Sequence, residues 1–174
     1  EGHLHTLAHE KRVARVALEL FDLLIVTHGL GVEHRRLLRM GAVVHDVGRC
    51  RGENNHAARG ATMILQDRSL PLTPPERRLV AYLTQYHRGA VPALGEDGIL
   101  VRGDGRAAAL RMLALLRVAD ALDCRSLPSP AVRLRLRADR LCVECEVPDG
   151  VSVGKARRAF DKPKKFRLAE QLLN

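Results

Sequence analysis

Apolar residues recur every three to four positions along the larger, N-terminal part of the chain, a spacing that places them on one face of a helix. Gly29 and Gly48 end the first two predicted helices, because glycine is favoured just past a helix C-terminus. Pro74 and Pro75 begin the fourth predicted helix. Proline is favoured there because the first N–H groups of a helix have no hydrogen-bond partner within the helix. The pattern predicts five helices, at about Leu7–His28, Val32–Val47, His56–Gln66, Pro74 to the segment Tyr86–Gly89, and Arg106–Arg125.

The spacing of apolar residues changes beyond Pro130, from every three or four positions to every second position. Apolar residues from Val132 to Leu136 alternate with arginines, and a second alternating run starts at Leu141. This pattern predicts a β-hairpin with one apolar face packed on the helices and one arginine-lined face. The arginine face either binds a polyanion or is simply solvated. The tail, 151–174, is basic, and Pro163 divides it into two short elements, the second a helix.

These elements predict a mainly α protein. A helical bundle over residues 1–127 is followed by a small β-hairpin and basic helical tail over residues 128–174, packed on it. A chain of 174 residues is long enough for one domain with its own core. Aromatic residues make up only 3% of the chain and Trp is absent, so Leu, Val and Ala must build that core.

The formal net charge of +9 favours a phosphate-bearing partner, either a small molecule or polyphosphate. Solvated arginines on helix surfaces would account for the same charge equally well. A nucleic-acid partner is not favoured, because few aromatic side chains are present to stack on bases and no recognition helix is evident.

The cysteines bear on redox compartment and on metal binding. The sequence shows no secretory signal, and it has no apolar run of the roughly 20 residues that a bilayer needs. We therefore expect a cytoplasmic protein with reduced thiols and no membrane partner. Cys142 and Cys145 have the spacing of a metal or redox pair, but residues three apart on a strand face opposite sides. The four cysteines, which we expect to be ordinary core or surface residues, are Cys50, Cys124, Cys142 and Cys145.

Candidate metal ligands lie on three predicted helices. His45 and Asp46 end the apolar run that starts at Met40, and burying either side chain without a partner costs on the order of several kcal/mol. His9 and Asp120 lie on the apolar faces of two other helices. We predict that His9, His45, Asp46 and Asp120 bind a divalent ion: Mn, Fe, Co, Ni or Zn suits such mixed ligands, and Mg is a further candidate.

A lone histidine, a later His-Asp pair and a still later aspartate resemble the signature of HD-domain metal-dependent phosphohydrolases. The flanking segments Ala17–Asp22, Tyr86–Arg88 and Leu115–Asp123 are similar to the C-terminal HD domain of the exopolyphosphatase and guanosine pentaphosphate phosphohydrolase family. The likeness runs from about His9 to the end of the chain. It does not include the actin-like half of that family.

The resemblance implies a phosphodiesterase-like helical bundle that hydrolyses a phosphate ester or anhydride, in a nucleotide or in polyphosphate, through a metal-activated water. Binuclear HD enzymes add histidines between the His-Asp pair and the last aspartate. His56 and His87 are therefore candidate ligands of a second ion, which Asp46 would bridge to the first.

Basic residues near these ligands are candidates for contacting phosphate and stabilising the transition state. Arg49 and Arg51 follow the His-Asp pair in a loop, and Arg117 precedes Asp120 by three residues. Loop arginines such as Arg49 and Arg51 are more often simply solvated, and Arg117 could form an ordinary salt bridge. We assign substrate binding to Arg49, Arg51 and Arg88, and catalysis to Asp46, His87, Arg88 and Arg117.

Two functions are compatible with these residues. The first is a metal-dependent phosphohydrolase. The second is a non-catalytic regulatory or polyphosphate-binding HD module, which would work with a separate catalytic partner of actin-like fold. A homodimer is a further option that the sequence leaves open.

Overall fold

The computed structural model describes residues 2–93, 95–96, 98–123, 131–138, 140–147 and 149–173. The chain is mainly helical, as predicted, with a small antiparallel sheet towards its C-terminus. Within the described ranges no helix is both long and apolar enough to cross a membrane. The helices are α1 (Gly2–Leu23), α2 (Ile25–His28), α3 (Val32–Val44), α4 (His56–Gln66), α5 (Pro74–Tyr86), α6 (Arg106–Leu122), α7 (Val153–Phe160) and α8 (Pro163–Leu172).

Helix α6 lies at the centre of the fold. Eleven of its 17 residues are buried, among them Leu113 and Leu116. Helices α1, α3, α5 and α8 contact it, and a helix that is apolar on most sides is stable only when neighbours cover it in this way. Asp120 is therefore carried by a helix whose position is fixed from several directions.

The first predicted helix is interrupted once. α1 ends at Leu23, and α2 follows after a turn at Leu24. The imidazole of His28 holds this corner, since Nε2 donates to the Phe21 carbonyl at 2.8 Å and Nδ1 accepts from the Leu30 N–H at 2.9 Å. The predicted stop is confirmed, because Gly29 has a φ of 62° and caps α2.

Helix α3 is shorter than predicted. It ends at Val44 rather than Val47, and a 3₁₀ turn covers Val47–Arg51. Gly48 lies against α4 so closely that a Cβ atom there would be 2.0 Å from the His56 carbonyl oxygen and 2.7 Å from the Gly60 nitrogen. The glycine thus allows the turn that carries Asp46 to approach the helix that carries His56. Its role is close packing of backbones, not capping in the left-handed region.

The C-terminal elements share the core of the helices. Strands β1 (Ala131–Arg137) and β2 (Arg140–Glu146) pair in antiparallel register, with Leu134 opposite Val143. Val132 and Leu134 are buried in the main core. Helix α8 packs on α6. The predicted boundary between residues 127 and 128 lies outside the described residues.

The arginine face of the hairpin is exposed to solvent. Arg135 forms an ion pair with Glu144 at 3.7 Å. Cys142 lies opposite Arg135, and Cys145 lies opposite Val132, so the two thiols belong to opposite faces. Both are half-buried and Cys50 is exposed, and none of these three forms a disulfide with another described residue. Cys124 lies outside the described residues.

Replacing Gly48 with Ala should destabilise the protein by about 3 kcal/mol or more, because the added methyl group would overlap the backbone of α4. Gly31→Ala is the control, since no atom lies within 4 Å of a Cβ placed there. Gly31 is the N-cap of α3, where Ala is less favourable than Gly, so this variant should lose no more than about 1 kcal/mol. Urea unfolding of both variants tests this. Equal stability of the two variants would contradict the close approach of the 3₁₀ turn to α4.

Candidate metal centre

Three buried histidines are held by the main chain in the same way. Nδ1 of His45 donates to the Ala42 carbonyl at 2.7 Å, and Nδ1 of His87 donates to the Thr84 carbonyl at 2.7 Å. Nδ1 of His56 donates to the Glu53 carbonyl at 2.8 Å. Because a carbonyl only accepts, each ring carries its proton on Nδ1, and the Nε2 lone pair faces the interior of the site.

A fourth histidine, His9 on α1, is oriented by a carboxylate instead. Its Nδ1 donates to Asp123 Oδ2 at 2.5 Å, and Arg12 Nε donates to the other oxygen of Asp123 at 2.6 Å. Burial alone would raise the pKa of Asp123, but the hydrogen bonds from His9 and Arg12 outweigh it and hold that pKa below its usual range. Carboxylate-histidine pairs of this kind orient metal ligands in many proteins.

The Asp46 carboxylate lies between two pairs of imidazoles. Oδ1 is 3.1 Å from His56 Nε2 and 3.4 Å from His87 Nε2. Oδ2 is 3.7 Å from His45 Nε2 and 3.9 Å from His9 Nε2. The candidate ligand atoms therefore form two groups that share Asp46, and within each group they lie within 4.8 Å of one another.

Asp120 lies beside the two histidines of one group, His9 and His45. Its Oδ1 is 3.5 Å from His9 Nε2 and 3.8 Å from His45 Nε2. Burial alone would raise the pKa of Asp120, but the nearby imidazole of His9 and the positive charge of Lys165 hold that pKa below its usual range. Asp120 is therefore ionised at neutral pH and available as a ligand.

The donor set fits divalent metal ions. Nε2 of His45 and Nε2 of His56 are buried, and within the described ranges neither has a hydrogen-bond partner, a costly arrangement unless another group binds them. Donor atoms bound to one ion at about 2.1 Å lie roughly 3 to 3.5 Å apart. The distances from the Asp46 oxygens to the histidine Nε2 atoms are close to this range. Burial lowers the pKa of His45, and it lowers the pKa of His87 to about 3, so both rings are neutral, as metal binding requires.

A cavity of about 750 Å³ opens beside these ligands. Arg49 reaches it from the 3₁₀ turn and donates Nε to Asp46 Oδ2 at 2.8 Å, while its Nη1 contacts Glu53. Six basic and three acidic side chains contribute to its wall. The lining residues are His9, Asp46, Arg49, His87, Arg88, Gly89, Ala90, Arg117, Asp120, Asp123, Lys162, Lys164 and Lys165.

The other predicted arginines have different positions. Arg88 is exposed and lines the cavity. Arg117 does not pair with Asp120: its guanidinium donates to the Tyr86 carbonyl at 2.6 and 2.8 Å and to the Gly89 carbonyl at 2.7 Å. Arg51 is exposed and is not among the lining residues. The structure therefore places Arg49, Arg88 and Arg117 at the cavity and Arg51 away from it.

All six candidate ligands predicted from the sequence come together at this one place. Asp123 and the three lysines of the cavity wall were not predicted from the sequence. Asp123 follows Asp120 by three residues, which places both on one side of the end of α6, and that spacing was the available signal. Nothing in the local sequence of the tail indicates that Lys165 contacts Asp120.

Comparison with known families identifies a model described as Ppx/GppA phosphatase, domain III, which matches residues 4–140. No curated protein matches the chain significantly. The matched range contains all six candidate ligands and ends at the first residue of β2, so that α7 and α8 lie beyond it.

Replacing Asp123 with Asn should weaken metal binding by roughly 10- to 100-fold, because the neutral amide orients His9 less firmly and makes its Nε2 a poorer donor. Asp22→Asn is the control, since Asp22 pairs with Arg35 on the surface. Competition with a chromogenic chelator measures the affinity. Equal affinities of the two variants would show that Asp123 does not support the centre.

Proposed function

The chain belongs to the Ppx/GppA phosphatase family, whose domain III it matches over residues 4–140, and we propose that it is a metal-dependent phosphohydrolase acting on phosphate esters or anhydrides. The observation that carries the proposal is the shared carboxylate of Asp46. Two groups of imidazoles approach its two oxygens, an arrangement suited to two divalent ions.

In this proposal each ion has its own ligands. His9, His45 and Asp120 would hold one, His56 and His87 would hold the other, and Asp46 would contact both. A pair of divalent ions supplies a Lewis acid for the phosphoryl oxygens and lowers the pKa of water towards neutrality. A mixed set of imidazoles and carboxylates suits Mn, Fe, Co, Ni or Zn.

The protein contributes fixed orientation. The Nδ1 protons of His45, His56 and His87 are committed to main-chain carbonyls, so these rings present only Nε2 and need no reorganisation when they bind an ion. Arg49 and Arg88 supply positive charge at the cavity wall, where the charge of a phosphoryl group would develop.

Arg117 acts indirectly in this scheme. Its guanidinium binds the carbonyls of Tyr86 and Gly89, the two residues that flank His87 and Arg88. It therefore fixes the turn that carries one candidate ligand and one candidate phosphate contact. We assign Arg117 as a positioning residue and not as a group that touches substrate.

A second function is favoured by the charges of the cavity. Six basic residues line it, and the carboxylates of Asp46 and Asp120 already contact Arg49 and Lys165. A non-catalytic module that binds polyphosphate would use the same wall without hydrolysis. Its binding would not depend on the metal ligands, whereas hydrolysis would.

Asp46→Ala separates the two functions. It should abolish retention of divalent ions and lower hydrolysis of p-nitrophenyl phosphate and tripolyphosphate by at least about 100-fold, since both groups of ligands lose their shared member. Circular dichroism should show that the helices persist. Asp22→Ala, on the surface, is the control.

Unchanged hydrolysis in Asp46→Ala would exclude the proposed centre. Absence of hydrolysis in wild-type protein loaded with Mn or Ni, together with tight and salt-dependent binding of tripolyphosphate, would instead establish the binding module.

A further inference from the structure

Three lysines of the C-terminal tail line the cavity beside the metal centre: Lys162, Lys164 and Lys165. They lie where α8 begins, beyond the residues that match the family model. The other basic residues of the tail are exposed and do not contribute to the wall; they are Lys155, Arg157, Arg158 and Arg167. Basic side chains therefore reach the cavity from one short segment and not from the tail at large.

Packing fixes this segment in place. Phe166, Leu168 and Ala169 of α8 lie against the main core, and α8 contacts α6. Lys162 Nζ donates to the Ala121 carbonyl at 3.3 Å, near the end of α6. Because α6 also carries Asp120, the tight packing of α8 on α6 fixes the lysines relative to this candidate ligand.

Lys165 contacts the outer side of a candidate metal ligand. Its ammonium pairs with Asp120 Oδ2, whereas Oδ1 of the same carboxylate faces His9 and His45. Lys165 can thus stay on Asp120 while the other oxygen binds an ion. An ammonium group has three donors, so two donors are left for an anion that enters the cavity.

The wall has an excess of positive charge. Each of its acidic residues already has a basic partner: Asp46 has Arg49, Asp120 has Lys165, and Asp123 has Arg12. Lys164 and Arg88 add charge without a carboxylate partner in the described part of the chain. A concave wall of this kind concentrates anions next to the ligands.

We infer that Lys164 and Lys165 form a phosphate-binding subsite, with Lys165 contacting the phosphate at the metal centre and Lys164 contacting the next phosphate along. Lys162 holds the segment on α6 and is a positioning residue. This assignment rests on the proposed function for the identity of the neighbouring centre, but it concerns binding and not hydrolysis. It gives the start of α8 a role in the site that the matched domain alone does not supply.

Binding of methylenediphosphonate, a diphosphate analogue that resists hydrolysis, tests the subsite by calorimetry in the presence of Mn. The double variant Lys164→Gln/Lys165→Gln should bind roughly 100-fold more weakly than wild type, since two charge-assisted contacts are lost. Its affinity should also depend less on salt concentration. Arg157→Gln/Arg158→Gln removes the same charge from the exposed part of the tail and should stay within about two-fold of wild type.

Metal content, measured in the same samples, separates this inference from the proposed function. The lysine variant should retain as much Mn as wild type. Equal binding by the two double variants would overturn the subsite, and so would loss of Mn from the lysine variant, because Lys165 would then act through Asp120. Wild type that binds the analogue through these lysines but hydrolyses nothing would support the subsite while overturning the proposed hydrolysis.

Discussion

The buried carboxylate of Asp46 is the constraint on which the site depends. A carboxylate that is 3% exposed in a core of leucines and valines needs compensating charge, because desolvation of an unpaired ion is costly. Arg49 supplies one contact, and the imidazoles of four histidines face the two oxygens. These histidines come from α1, the ends of α3 and α5, and the start of α4, so the carboxylate lies where all four helices converge.

Backbone packing makes this convergence possible. Gly48 and Gly60 let the 3₁₀ turn approach α4, and a Cβ at Gly41 would be 2.7 Å from Leu83 Cδ1 on α5. Small residues at these contacts bring Asp46 close to His56 and His87. The Nδ1 hydrogen bonds to main-chain carbonyls then link the direction of each ring to the helix end that carries it. Fold and site are therefore specified by the same contacts.

Helical periodicity was sufficient to predict the bundle and the place of His9, His45, Asp46 and Asp120, because inward-facing polar residues stand out on an apolar face. His56 and His87 were proposed as ligands of a second ion from the family resemblance. Periodicity carries no information about contacts between distant elements, so it did not predict that Arg117 binds the Tyr86 carbonyl or that Lys165 contacts Asp120. Periodicity also predicted that α3 ends at Val47, whereas it ends at Val44. Gly48 is required by the close approach of the α4 backbone, which the local sequence does not reveal.

A crystal structure of protein grown with Mn, with anomalous scattering measured near the Mn absorption edge, tests the central claim most directly. We expect two peaks on either side of the Asp46 carboxylate, roughly 3.5 to 4 Å apart as in two-metal hydrolytic sites. One should contact His9, His45 and Asp120, and the other should contact His56 and His87. Absence of any peak at Asp46 in Mn-saturated crystals would contradict a metal centre at this position.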